Sequence, residues 1–216
     1  MISVPFMAGV PFRESGLAGI LRDADRAVTL AVNDFDSLFT DTVMPWLSNR
    51  LVWIPFYLLL LWFIWREVGW KKTAMIIVAA VLSVVAIDQF ANLVKFAVHR
   101  YRPCWDSYMM ENGLKVLEGK GGKFGFFSAH AATTAGIATS VMYFVRRHWG
   151  VQGRRYRLLA VLFIIWVTGV SISRVYVGKH FVGDIITGAV VGMVLARAIS
   201  WLVRWVYTKF FAKFVD

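Results

Sequence analysis

SISRVYVGKHFVGD, residues 171–184, sets Ser173, Arg174, His180 and Asp184 at the junction of two long apolar runs, where charge is costly. Something must justify that cost. A helix that starts near Lys179 makes His180 and Asp184 neighbours four residues apart on one face. The carboxylate can then hold one ring nitrogen and leave the other free. A free, oriented imidazole is a nucleophile or a base. Arg174, just upstream, carries a planar fork of donors that suits phosphate oxygens. Taken alone, the stretch also fits an ordinary polar helix cap.

The rest of the chain tells where this stretch sits. Of 216 residues, 58% are hydrophobic and 17% charged, with ten Trp and seventeen Phe, which is too apolar for an ordinary soluble domain of this length. It reads as an integral membrane protein. The net charge is +11, but Lys and Arg gather at the ends of apolar runs. That distribution suits phospholipid headgroups and argues against a nucleic-acid partner. The single cysteine, Cys104, excludes an internal disulfide and any multi-cysteine metal site. Pro5, Pro11, Arg13 and Glu14 near the start do not read as a cleavable signal peptide.

Residues 17–39 repeat apolar positions at helical spacing between Arg22, Asp23, Asp25, Arg26, Asp34 and Asp36. This predicts an amphipathic helix, lying on the membrane or with its stripe packed on the protein, closed by Pro45. Five spans follow, over residues 51–65, 73–94, 125–145, 158–173 and 181–203, each approaching the ~20 residues that cross a bilayer. Asp88 interrupts the second span about two helical turns before Lys95, where a supporting ion pair or hydrogen bond is the expected role. A loop with Gly113, Gly119, Gly121 and Gly122 is expected to be flexible and exposed. Gly183, Gly188 and Gly192 in the last span predict close approach of neighbouring helices. The fold class expected is all-α, an integral membrane helical bundle of about five transmembrane helices with an N-terminal amphipathic helix. Residues 1–216 read as one domain, with an amphipathic segment over 1–50 and a transmembrane core over 51–205.

Because spans alternate direction, residues 95–103, 127–130 and 173–184 all fall on one membrane face. Lys95, Arg102, Arg174, Ser128, His130, His180 and Asp184 can therefore converge. Three cations around an anion, with two imidazoles, suggest phosphoryl transfer, whose charge grows on the attacking and leaving oxygens. His180, steered by Asp184, would attack phosphorus. His130 would protonate the departing oxygen, and Ser128 would donate at the helix start. Each residue also has a bland reading. Lys95 and Arg102 fit snorkelling side chains, Ser128 an N-cap and Asp184 a helix-start carboxylate, while either histidine fits a hydrogen-bonded polar residue.

Lys95-x6-Arg102-Pro103, Phe127-Ser128-Ala129-His130 and Ser173-Arg174-x5-His180-x3-Asp184 together resemble the three-part signature of the type 2 phosphatidic acid phosphatase superfamily. Vanadium-dependent haloperoxidases share it, but those relatives are generally soluble. The middle part departs from the usual Pro-Ser-Gly-His at Phe127 and Ala129. The resemblance implies a helical-bundle phosphatase, often with six helices, that needs no metal or other cofactor and passes through a phosphohistidine at His180. It assigns Lys95, Arg102, Arg174 and Ser128 to phosphate, His130 to acid catalysis and Asp184 to orienting His180. His99 and Arg100, inside the first part, are expected to be loop or headgroup contacts.

Basic clusters around Arg66 to Lys72, Arg146 to Arg157 and Arg204 to Lys213 mark the opposite face as cytoplasmic. The site would then face outward, periplasmic in a Gram-negative inner membrane. Trp46, Trp53, Tyr101, Trp105 and Tyr108 around the site fit a lipid-borne phosphate or the ordinary interfacial belt. Similarity to small bacterial members suggests undecaprenyl diphosphate as leading substrate, with phosphatidylglycerophosphate, phosphatidate and a lipid A phosphate as competitors. A non-enzymatic lipid-phosphate binder or transporter is the alternative class.

Overall fold

The computed structural model describes residues 16–35, 37–150 and 152–211. The expectations on Pro5, Pro11, Arg13, Glu14, Asp36 and Lys213 lie outside them. Among the described residues seven α-helices run in order: α1 (Leu17–Asn33), α2 (Leu38–Ser48), α3 (Ile54–Val98), α4 (Ser107–Glu111), α5 (Ala129–Trp149), α6 (Arg154–Tyr176) and α7 (Val182–Val206). No strand is present among the described residues, which leaves only an isolated bridge between Tyr101 and Phe124.

α3 holds both of the first two expected spans. Its backbone leaves helical geometry at Gly69, where φ is 78° and ψ 165°, a conformation open to a residue without Cβ. The chain folds back there, so that Tyr57, Leu61 and Ile64 face Ile76, Val81 and Val85 across one apolar cleft. Three helical stretches are long and apolar enough to cross a membrane: Arg50–Val98, Arg154–Tyr176 and Val182–Phe210. α5 has the length, but its Ala, Thr, Gly and His residues lower its hydropathy. It packs on α7, α3 and α6, which surround it. Leu58, Leu82, Ile164, Val194 and Trp201 are exposed on those neighbours, the side a bilayer would cover.

The α5–α7 contact carries the site. α7 buries Asp184, Gly188, Gly192, Ala196 and Ser200, one residue every fourth position, and so presents a strip of small side chains below the carboxylate. A Cβ at Gly188 would stand 2.5 Å from the Ser128 carbonyl oxygen, and one at Gly192 would stand 2.1 Å from that of Ala132. Only glycine permits this spacing. Gly183 behaves differently from the expectation, since it meets Asp25 of α1 rather than a spanning helix. Farther from the site, Ser140 lies 3.3 Å from Ser83 and 3.2 Å from Ser200, which satisfies three buried hydroxyls.

The N-terminal segment departs from expectation in two ways. Pro45 lies inside α2 instead of closing a helix, and the break falls before Ser37, whose hydroxyl accepts from the Thr40 amide and caps α2. α1 does pack on the protein, but through its polar face. Thr29 and Asn33 are buried, while Leu17, Ile20, Leu21 and Val28 point outward. The loop expected to be flexible is tied down. Asn33 bonds both the amide and the carbonyl of Lys115, and Arg26 pairs with Asp106 at 2.7 Å.

Candidate active site

The connection between α6 and α7 turns on Gly178, whose φ is 77° and where a Cβ would lie 2.7 Å from the Lys115 carbonyl oxygen. Beyond it, the amides of Lys179 and His180 both donate to the Arg174 carbonyl, at 3.0 and 3.2 Å, which fixes the imidazole just ahead of α7. The helix starts at Val182, later than Lys179, yet the pairing four residues apart survives. His180 Nδ1 lies 3.4 Å from Asp184 Oδ2. The same oxygen accepts from the Phe181 amide at 3.0 Å, so Asp184 orients the ring and closes the helix start together. His180 is 3% exposed and Asp184 fully buried. Burial pushes the His180 imidazole down to about 4, against the upward pull of its bond to Asp184. The ring is therefore neutral at physiological pH, with Nε2 unbound by Asp184.

The remaining motif residues gather around that ring. Arg174 and Arg102 act electrostatically on His180; Arg174, His180 and Lys95 act on His130; and Lys95 in turn feels Arg102, Asp88 and Asp184. Asp88 thus sits as expected, near Lys95 and 3.4 Å from Asn92 Nδ2. Arg174 is buried, and its Nε has no hydrogen-bond partner among the described residues. One of its Nη atoms bonds Ser48 and also lies 3.3 Å from a Glu118 carboxylate oxygen. Burial lowers the Arg102 guanidinium, which donates to the Phe124 carbonyl at 3.2 Å. Ser128 is fully buried. Its hydroxyl accepts from the Ala131 amide at 3.4 Å, and its own amide donates to the Asp184 carbonyl at 3.0 Å. It is an N-cap that also ties α5 to α7. Phe127, in place of the usual Pro, is buried against Ile87 and Ala91 and anchors that turn by packing.

Four participants carry no signal in the motif spacing. Arg50, a basic residue at a span end, places Nε 3.3 Å from His130 Nε2. Glu118 sits in a Gly-rich loop and meets Arg174. Arg100, expected as a loop or headgroup contact, turns inward, with Nη1 2.8 Å from Asp184 and Nη2 2.6 Å from Asp25. Asp25, read as part of a polar helix face, is the fourth. His99 stays outside the site, ending α3 at φ 53° with its ring on Phe124. Of the aromatics, Trp46, Tyr101, Trp105 and Tyr108 are exposed, whereas Trp53 packs inward on Phe56 and Trp166. A cavity of about 500 Å³ is lined by His130, Arg50, Tyr57, Asp88, Gln89 and Val170, mixing polar and apolar side chains.

The chain is similar to several known proteins. The chain is 29% identical over 174 residues to the lipid A 4'-phosphatase of Bacteroides thetaiotaomicron, covering 80% of this chain and 73% of that one. It is 30% identical over 146 residues to an undecaprenyl-diphosphatase of Sulfolobus acidocaldarius, covering 67% and 60%. Among solved structures, the transmembrane PAP2 type phosphatidylglycerolphosphate phosphatase of Bacillus subtilis superposes with a TM-score of 0.65 at 19% identity, over 89% of each chain. Residues 73–208, which hold all three motif segments, match the PAP2 superfamily. The chain belongs to the PAP2 superfamily and is a membrane lipid phosphatase of that type.

Proposed function

We propose that this phosphatase removes the phosphate monoester of a lipid A-type substrate through a phosphohistidine at His180. The observation that carries the reading is Arg174, a buried guanidinium with an unspent Nε donor beside a neutral imidazole. An anion with three or more acceptor oxygens satisfies that donor together with Arg102 and Lys95. His130, neutral while Nε2 accepts from Arg50, takes up at Nε2 the proton of the entering phosphate monoanion. His180 Nε2 attacks phosphorus and the bond to the lipid oxygen breaks, with His130 passing that proton to the departing oxygen. Water then attacks the phosphohistidine and gives up a proton to His130. Phosphate leaves and His180 is restored. Arg50, which now donates to His130, has an incoming phosphate as an alternative partner, and this releases Nε2 for the leaving oxygen.

The substrate assignment moves away from undecaprenyl diphosphate, the leading expectation from sequence. It is the lipid A 4'-phosphatase of Bacteroides that aligns over the larger share of both chains. The cavity beside His130 also supports it, because Asp88 and Gln89 in its lining offer acceptors to a hydroxyl-rich leaving group. Undecaprenyl diphosphate remains the second reading, favoured by Arg50, whose charge suits a second phosphate.

We take the chain as one catalytic domain, with the site on the outer face of the inner membrane, from the basic clusters at the opposite ends of the spans. Phosphate release settles substrate and side together. Purified protein with a chelator should act faster on lipid A phosphate than on undecaprenyl diphosphate, and substrate added outside should be turned over by spheroplasts stripped of the outer membrane. Faster turnover of the diphosphate reverses the substrate order. Activity confined to inverted vesicles reverses the orientation.

A further inference from the structure

One guanidinium bridges two carboxylates behind the nucleophile. Arg100 Nη1 lies 2.8 Å from Asp184 Oδ1, and Nη2 lies 2.6 Å from Asp25 Oδ2. Its guanidinium carbon stands 4.2 Å above the centre of the Phe181 ring, which fixes the plane of the fork. Asp25 belongs to α1, and its second oxygen accepts from the Gly183 amide at 2.8 Å. Next to it, Thr29 accepts from the Val182 amide at 3.1 Å. Two of the four amides that the start of α7 leaves free are therefore satisfied by α1. Asp184 spends Oδ2 on His180 and Phe181 and Oδ1 on Arg100, so every bond that sets its plane is accounted for.

We propose that Arg100 and Asp25 are positioning residues for catalysis, an outer tier through which α1 holds Asp184, and so His180, in its attacking orientation. The inference rests on the phosphohistidine reading above. Three observations carry it. Asp184 is fully buried, so an ionised carboxylate there needs a compensating charge, and Arg100 is the cation paired with it. Both arms of the Arg100 fork are engaged, so it acts on the reaction through Asp184 and does not bind phosphate. Finally, Gly183 leaves room for Asp25, since a Cβ there would come within 2.9 Å of Asp25 Oδ2. Outer partners that orient a metal-bound histidine typically change activity by about 10- to 100-fold when removed, and the same orienting role sets the scale expected here.

The test is steady-state phosphate release by wild type, Arg100→Ala, Arg100→Lys, Asp25→Asn and His180→Ala in one detergent, with alkali-quenched phosphoenzyme measured in parallel. Arg100→Ala and Asp25→Asn should lose about 10- to 100-fold in kcat, with KM within about threefold of wild type and less phosphoenzyme. Arg100→Lys should recover part of the loss, because an ammonium reaches one carboxylate but lacks the fork. A residue serving stability alone would move the melting temperature and leave kcat of the folded fraction intact. Should Arg100→Ala not fold, Asp25→Asn carries the test by itself. Unchanged kcat in the folded variants, or a loss confined to KM, overturns the inference. If His180→Ala turns over like wild type, it is the underlying mechanism that fails.

Discussion

At His180 the balance of burial against charge decides the chemistry. The ordinary imidazole titrates near 6.5, and here desolvation carries it down to about 4 although Asp184 pulls the other way. Between those values the unfolded chain binds a proton that the folded chain refuses. The neutral ring's contribution to stability is therefore present above about pH 6.5 and is lost as pH falls through 4. NMR titration of labelled histidine, assigned with His180→Ala, should find the ring uncharged down to about pH 5, and the melting temperature should drop between 6.5 and 4. A midpoint near 6.5 would contradict this. The motif residues were all legible in the sequence, because their spacing is local and their charges stand out against apolar runs. Arg50, Arg100, Glu118 and Asp25 were not. A basic residue at a span end or an acidic one on a polar helix face reads as solvated until tertiary packing turns it inward.

Among the elements, the α5–α7 pair matters most, because Ser128 and His130 stand on one helix and Asp184 on the other. The strip from Gly188 to Ser200 sets their separation by letting backbone touch backbone. Gly192→Ala places a methyl 2.1 Å from the Ala132 carbonyl oxygen, an overlap neither helix can absorb without moving apart. The variant should be destabilised by on the order of 1–3 kcal/mol and so melt at a lower temperature in detergent. An unchanged melting temperature would show that the helices have slack. The glycines signalled this contact in the sequence, since small residues four apart are visible without knowing the partner. The hairpin at Gly69 was legible as two spans with a basic turn. α1 was legible as amphipathic but not in its direction. Periodicity gives the stripe, and only the buried Thr29 and Asn33 reveal that the polar side faces inward and the apolar side outward.

For the molecule as a whole, a bundle of apolar helices brings three distant segments to one end, where Lys95, Arg102 and Arg174 act electrostatically on the two histidines and on one another. Alternation of the spans predicts that convergence, because each motif adjoins a span end. How deeply Arg174 is buried, and which side chains lie behind Asp184, follow from packing that no single segment encodes. The central claim is that the bond to phosphorus passes through His180. Rapid alkaline quench with a substrate labelled in its phosphate should trap an alkali-stable, acid-labile label on the wild-type chain and none on His180→Ala, whose turnover should be nearly abolished. Label on another residue, or wild-type phosphate release from His180→Ala, would contradict the account.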